Sequence, residues 1–387
     1  MIKYQVFKSQ VTRILYFSKD YTTHDRRFLA ALAETPHQVY YLRLEQRGHP
    51  LEDRPLPPQI EQIEWAGGRG PVHLRDGPHL LASLKRVIHA VQPDLIQSGP
   101  LQSVALLVAL SGYRPLVSMS WGYDLLFDAD RSAVWRWATR YTLSHSAVMI
   151  GDCNTIRQRA RNFGMADERI VTFPWGVDLD HFNVVTGDCH VRVRTSATLE
   201  CSNAHTFTLL STRNWDPIYG VDVIAKAFVQ AAQQRPELRL ILLGNGSQAG
   251  LLRQVFTRGG VLEQVHFPGQ VSQADLPHYY RAADLYVSAS HSDGSSISLL
   301  EAMACGRPAL VSDIPGNLEW VEPGVQGWWF PDGDTNALAQ AILHAVDNRE
   351  RLPEMGYAAR LLAKQRADWK KNFQQLLQAY EIALQTR

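Results

Sequence analysis

Residues 284–312 read DLYVSASHSDGSSISLLEAMACGRPALVS. An apolar run (284–288) ends in a Gly/Ser-rich turn, a strong helix-forming run (297–304) follows, and a second apolar run (308–312) closes the stretch. Strand, loop, helix and strand in that order are the βα units of a parallel sheet. The same alternation continues outward. Earlier in this half, strands fit 207–211, 238–243 and 264–267, with helices at 221–234, 247–257 and 274–281. The first half repeats the pattern, with strands at 11–17, 38–44, 94–97, 115–120, 146–150 and 169–173. Helices there fit 26–34, 79–91 and 131–144. Between the two series, TGDCHVRVRTSATLECSNAHT (186–206) has no sustained period and many turn formers, as a linker would. The expected fold class is α/β, with Rossmann-like parallel-sheet domains at 1–175 and 207–365, a linker or crossover at 176–206, and a long helical tail from 351. Paired domains of this kind bind ligands near the carboxyl ends of their strands.

Bulk properties exclude several classes. The chain has 387 residues, 45% hydrophobic and 20% charged, enough for about two soluble domains. Its 39 basic and 38 acidic residues leave a net charge of +1, so no field for nucleic acid is expected. Cys153, Cys189, Cys201 and Cys305 show no Cys-x-x-Cys spacing, which argues against zinc and fits a reduced cytoplasmic setting. The opening MIKYQVFKSQVTRILYF is too polar for a signal peptide, and no run of ~20 apolar residues is present to span a bilayer.

Asp293 and Glu301 flank the start of the 297–304 helix, eight positions apart. A helix amino end offers free N–H groups to an anion, Gly294 permits close backbone approach, and Ser295, Ser296 and Ser298 can cap the helix. Carboxylates on either side can accept hydrogen bonds from sugar hydroxyls. Acid, phosphate cradle, acid suits a sugar nucleotide. The plain alternative is a helix-dipole Asp and a solvent-facing Glu.

The segment resembles the signature of the family-4 retaining glycosyltransferases of the GT-B fold, in which an acid and a Gly-x-Gly precede Leu-Glu-Ala-Met-Ala-x-Gly-x-Pro. Further matches are FPWGVDLDHF (173–182), STRNWDPIYGVDVIAKAF (211–228), LILLGNGSQ (240–248) and VHFPGQVSQADLPHYYRAADLYVSAS (265–290). In the first half, SWGYDLL (120–126) and HDRRFLAAL (24–32) are looser matches.

The resemblance implies two domains facing across a cleft, with the last helix (366–387) packed on the first. It also implies a metal-independent transfer, without a cofactor, from a nucleotide-diphosphate sugar of hexose type, with retention of configuration. The acceptor would be a glycan, a lipid-linked glycan or a small molecule. Asp293 would contact the transferred sugar, Glu301 the ribose, and Arg213 the departing diphosphate. Gly294, Ser295, Ser296, Ile297 and Leu300 would line the donor site. Gly244 and Gly246 would shape its diphosphate loop, and Gln270 and Val271 would lie beside the base. Trp121, Gly122, Asp124, His24, Arg26 and Tyr219 are candidates for acceptor or donor-sugar contacts.

The departures are specific. Tyr219 stands where the family carries a diphosphate lysine, and Trp121 where it carries a histidine. They leave open a non-catalytic sugar-nucleotide binder on the same fold, or, further off, an epimerase or phosphorylase. RSAVWRWATRYTLSH (131–145) interleaves Arg131, Arg136 and Arg140 with Trp135, Trp137 and Tyr141. It fits a helix resting at the inner face of an anionic membrane. The plainer reading buries those aromatics in the first domain.

Overall fold

The computed structural model describes residues 11–46, 52, 54–184 and 206–386. The core of the expected linker, 185–205, lies outside the described residues, as do Cys189 and Cys201.

All eleven apolar runs named above form strands. They are β1 (Arg13–Ser18), β2 (Gln38–Arg43), β4 (Leu95–Gly99), β5 (Leu116–Met119), β6 (Val148–Gly151), β7 (Ile170–Thr172), β8 (Phe207–Ser211), β9 (Leu238–Leu243), β10 (Val265–Gly269), β11 (Leu285–Ser288) and β12 (Ala309–Ser312). Two further edge strands, β3 (Glu61–Gln62) and β13 (Gly327–Phe330), escape the sequence pattern. Gly327 explains the second. Its φ is +152°, and a Cβ there would lie 1.8 Å from the Ala309 carbonyl oxygen, so the strand can pair with β12 only through a glycine.

Both sheets are parallel throughout. The first has the order β3-β2-β1-β4-β5-β6-β7 and the second β10-β9-β8-β11-β12-β13. Each central strand is apolar on both faces because helices cover both. In the second sheet Leu209, Leu240 and Leu242 pack with one cluster, which includes Ile224 and Phe228, while Leu210, Ile241 and Leu243 pack with another, which includes Leu299 and Leu300. Each such fully buried side chain contributes roughly 1.5–3 kcal/mol.

The chain divides into two units, Met1–Phe173 with Phe373–Arg387, and Pro174–Asn372. The helical tail is not continuous. It breaks between Leu352–Arg366 and Trp369–Gln385, where the Val177 amide donates to the Ala367 carbonyl (2.8 Å) and the Trp369 amide to the Val177 carbonyl (3.1 Å). From Phe373 onward the last helix belongs to the first unit, with Leu376 and Ala379 buried and the Tyr380 hydroxyl donating to the Gln97 amide oxygen.

Candidate active site

In the second sheet the strand order reverses between β8 and β11. Their carboxyl-end loops therefore diverge and leave a crevice, the usual ligand position of such sheets. The β8 loop carries Arg213 and Tyr219; the β11 loop carries Asp293 to Ser296.

These groups meet. Arg213 Nη2 lies 2.8 Å from Asp293 Oδ2, and Nη1 donates to Ser296 Oγ (2.9 Å) and Ser298 Oγ (3.1 Å). The guanidinium carbon sits 4.2 Å from the centre of the Tyr219 ring. Burial opposes the Arg213 charge, but Asp293, with Tyr219, Tyr286 and Tyr280, outweighs it and holds the group more firmly protonated than usual. The buried Arg213 Nε–H has no hydrogen-bond partner among the described residues. The Asp293 contact is close but misaligned, since Oδ2 accepts no hydrogen bond of good geometry.

The serines do not cap the helix Ile297–Ala304, contrary to expectation. Ser296 stands at the N-cap position without a side-chain cap bond, because its hydroxyl faces Arg213. Ser298 is taken up by Arg213 and by Tyr286 Oη at 2.7 Å, and Ser295 Oγ accepts from Trp320 Nε1 at 3.1 Å. Ile297 is half-buried at the helix start. Leu300 is a fully buried core residue, and its amide donates to the Ser296 carbonyl.

Three glycines make the loops fit. A Cβ on Gly316 would lie 2.3 Å from the Gly294 carbonyl oxygen and 2.5 Å from that of Asp293. Gly244, at φ +97°, brings its loop against the Arg213 backbone, and a Cβ on Gly246 would collide with Trp215. The Gly244 amide donates to Gly269 (2.8 Å), which places exposed Gln270 and half-buried Val271 next along the same rim.

Glu301 is only 3% exposed and accepts a hydrogen bond from Tyr280 Oη (2.9 Å). Tyr280 in turn contacts Thr212 Oγ1 at 3.1 Å, next in sequence to Arg213. Burial, and then the charge of Glu301, push the Tyr280 hydroxyl well above its usual range. Sequence reasoning passed over Tyr280 and Tyr286, although both lie in the quoted 265–290 segment, Tyr280 as the second tyrosine of HYYRAAD. Cys305 is wholly buried, and burial pushes its thiol up to about 12, which suits a core residue.

In the first unit, the rings of His24 and Trp121 lie 5.4 Å apart and tilted by 37°, and Arg26 Nε donates to the Pro55 carbonyl (3.1 Å). Asp124 buttresses its loop. It is fully buried and accepts from Ser120 Oγ and the amides of Trp121, Leu125 and Leu101, while the Gly122 amide donates to Ser120. Burial, partly offset by those bonds, brings its carboxyl up to about 6. The Arg-rich helix Ala133–His145 follows the plainer reading only in part: Tyr141 packs against a buried core cluster and Trp135 is half-buried. Trp137 is 52% and Val134 69% exposed, and Phe127, in the turn packed against that helix, is 58% exposed. Among the described residues no helix is long and apolar enough to cross a membrane, and no group of three or more His, Cys, Asp or Glu side chains gathers to hold a metal.

A doubly wound unit with an arginine, an acid and a helix amino end at its strand-order reversal defines a class of nucleotide-handling folds. Residues 202–362 match the family described as "Glycosyl transferases group 1" and residues 22–181 match "Glycosyltransferase Family 4". The chain belongs to the family-4 glycosyltransferases of the GT-B fold.

Among curated relatives, a phosphatidyl-myo-inositol mannosyltransferase of Mycobacterium leprae is 32% identical over 167 residues, 43% of this chain and 44% of that protein. A D-inositol 3-phosphate glycosyltransferase of Catenulispora acidiphila is 30% identical over 205 residues, 51% of this chain and 47% of that protein. The chain spans about half the length of the curated relatives it matches. An Anabaena protein, HepE, in complex with UDP-glucose shares the fold with a TM-score of 0.75 at 20% identity, over 96% of this chain and 99% of that one. Sucrose-phosphate synthase from Thermosynechococcus elongatus does so with a TM-score of 0.79 at 18% identity, over 97% and 100%.

Proposed function

We propose that the protein is a retaining, metal-independent glycosyltransferase that moves a hexose-type sugar from a nucleotide-diphosphate sugar to a glycan, lipid-linked or small-molecule acceptor. The buried Arg213 Nε–H carries the reading. A guanidinium N–H shielded from water and lacking an acceptor is costly, and a phosphate oxygen satisfies it with charge-assisted geometry. In this reading Arg213 and the amino end of the helix Ile297–Ala304 meet the charge that develops on the leaving diphosphate. Asp293 turns to the transferred sugar. Glu301, oriented by Tyr280, accepts from the ribose diol. Cys305 is buried and offers no nucleophile, and in this reading Asp293 orients the sugar while front-face displacement accounts for retention.

The test is a thermal-shift panel of UDP-, GDP- and ADP-sugars, followed by incubation with the stabilising donor with and without EDTA. Stabilisation and slow donor hydrolysis that EDTA leaves unchanged are expected. Binding without hydrolysis would identify the alternative, a non-catalytic sugar-nucleotide binder. No stabilisation at millimolar concentration would overturn the donor site.

The exposed Trp137, Val134 and Phe127 beside exposed Arg131, Arg136 and Arg140 favour a second element, peripheral contact with an anionic membrane. Arg136 is only partly neutralised, by Asp130 at 3.2 Å in an exposed pair. The expected outcome is sedimentation with phosphatidylglycerol vesicles, lost in the Arg131→Ala/Arg136→Ala/Arg140→Ala protein. Wild type that stays in the supernatant ends this part of the reading.

A further inference from the structure

Three groups surround the Arg213 guanidinium, and only one is charged. Asp293 approaches one edge, Ser296 and Ser298 another, and the Tyr219 ring lies against the face at 4.2 Å. The edges are where a phosphate would bind. The face is not, so the ring can hold the guanidinium without competing for its N–H groups. An aromatic face attracts a cation, and a weakly hydrated guanidinium gives up water to it readily, whereas a second cation this close would repel it.

The turn carrying Tyr219 is rigidly placed. Its amide donates to the Asp216 carbonyl at 2.9 Å. Gly220 follows at φ +58°, packed so closely that a Cβ would lie 2.0 Å from the Ala289 carbonyl oxygen. The His291 amide donates to the Ile218 carbonyl at 2.9 Å. Ala289 and His291 belong to the segment that leads to Asp293. The ring and the acid are therefore fastened to one frame, with the arginine held between them.

We infer that Tyr219 is a positioning residue for the donor diphosphate: stacked on Arg213, it orients the guanidinium fork toward the phosphate oxygens. This rests on the donor-site reading above and assigns Tyr219 no contact with sugar. Ordering a long side chain in the free protein lowers the cost of binding, since less rotamer freedom remains to be lost.

The experiment compares wild type, Tyr219→Phe and Tyr219→Leu for binding of UDP, GDP and ADP and of the matching nucleosides uridine, guanosine and adenosine. Leucine fills the site beside the core without offering a π face, and the unliganded melting temperature of each variant reports on folding alone. Tyr219→Phe should bind the preferred diphosphate like wild type. Tyr219→Leu should bind it about threefold to thirtyfold more weakly, the range of a partly desolvated cation–π contact, with nucleoside binding unchanged. On an Arg213→Gln background the Tyr219→Leu effect should vanish. An unchanged diphosphate affinity in Tyr219→Leu, an equal loss in Tyr219→Phe, or a loss that persists without Arg213 would each overturn the inference while leaving the donor site standing. Failure of wild type to bind any of the three diphosphates removes the donor site and this inference with it.

Discussion

The Asp293 carboxylate lies 2.8 Å from the Arg213 guanidinium, so the group proposed for the sugar rests on the group proposed for the diphosphate. Bringing a diphosphate to Arg213 places two anions on one cation unless the acid moves away. On the proposed donor reading, separation of this pair accompanies donor binding, and Asp293 opposes the nucleotide until the sugar engages it.

Asp293→Asn removes that opposition. It should tighten binding of the free nucleoside diphosphate by about two- to fivefold, a modest ion-pair effect, while reducing turnover. Isothermal titration and initial rates check the two halves. Weaker nucleotide binding in this variant would show that the pair assists the ligand instead of competing with it.

Arg213→Lys keeps the charge but loses the fork and the flat face that meets Tyr219. The expected cost is roughly 100-fold in kcat/KM, the scale of losing one preorganised donor to a developing charge. Steady-state kinetics on the preferred donor measures it.

Tyr280→Phe takes one donor from the buried Glu301 carboxylate and leaves Thr212 without that partner. It should lower stability by about 1–3 kcal/mol and weaken nucleoside binding, because the carboxylate loses its orientation. Chemical denaturation and nucleoside titration are the readouts. A fall in stability with unchanged nucleoside affinity would remove Glu301 from the ribose.

Gly316→Ala pushes a methyl against the carbonyls of Asp293 and Gly294. Overpacking of this kind costs about 1–3 kcal/mol. Here it also shifts the loop that bears Asp293, so donor affinity should fall along with the melting temperature.

Asp25 gives a pH dependence. It is buried at the start of the helix Thr23–Ala33, where it accepts from Tyr16 Oη (3.0 Å) and the Thr22 amide (2.9 Å). Burial, opposed mainly by the Thr22 and Tyr16 bonds, brings its carboxyl from 3.8 up to about 6. The folded protein thus holds this proton more tightly than the unfolded chain. The stabilisation is fully present below about pH 4 and is lost as pH rises through about 6. Relative to Asp25→Asn, wild type should therefore lose on the order of 2–3 kcal/mol between those values, read from urea unfolding at each pH. A constant difference across that window would refute the shift.

Local pattern carried most of the architecture. The period of apolar runs and the intervening turn chemistry located eleven of the strands, because the central ones are buried on both faces and each announces itself within five or so residues. The eight-residue separation of Asp293 and Glu301 likewise marked the site from one short segment. What tertiary structure alone decided was partnership. Ser296 and Ser298 serve Arg213 instead of the helix end, and Leu300 faces the core. Asp124 buttresses its own loop, and the final helices break where Val177 pairs between them. The two serines had several possible neighbours, and the one that won, Arg213, comes from a distant strand end. Burial makes that choice binding, since a buried polar group has no water to fall back on.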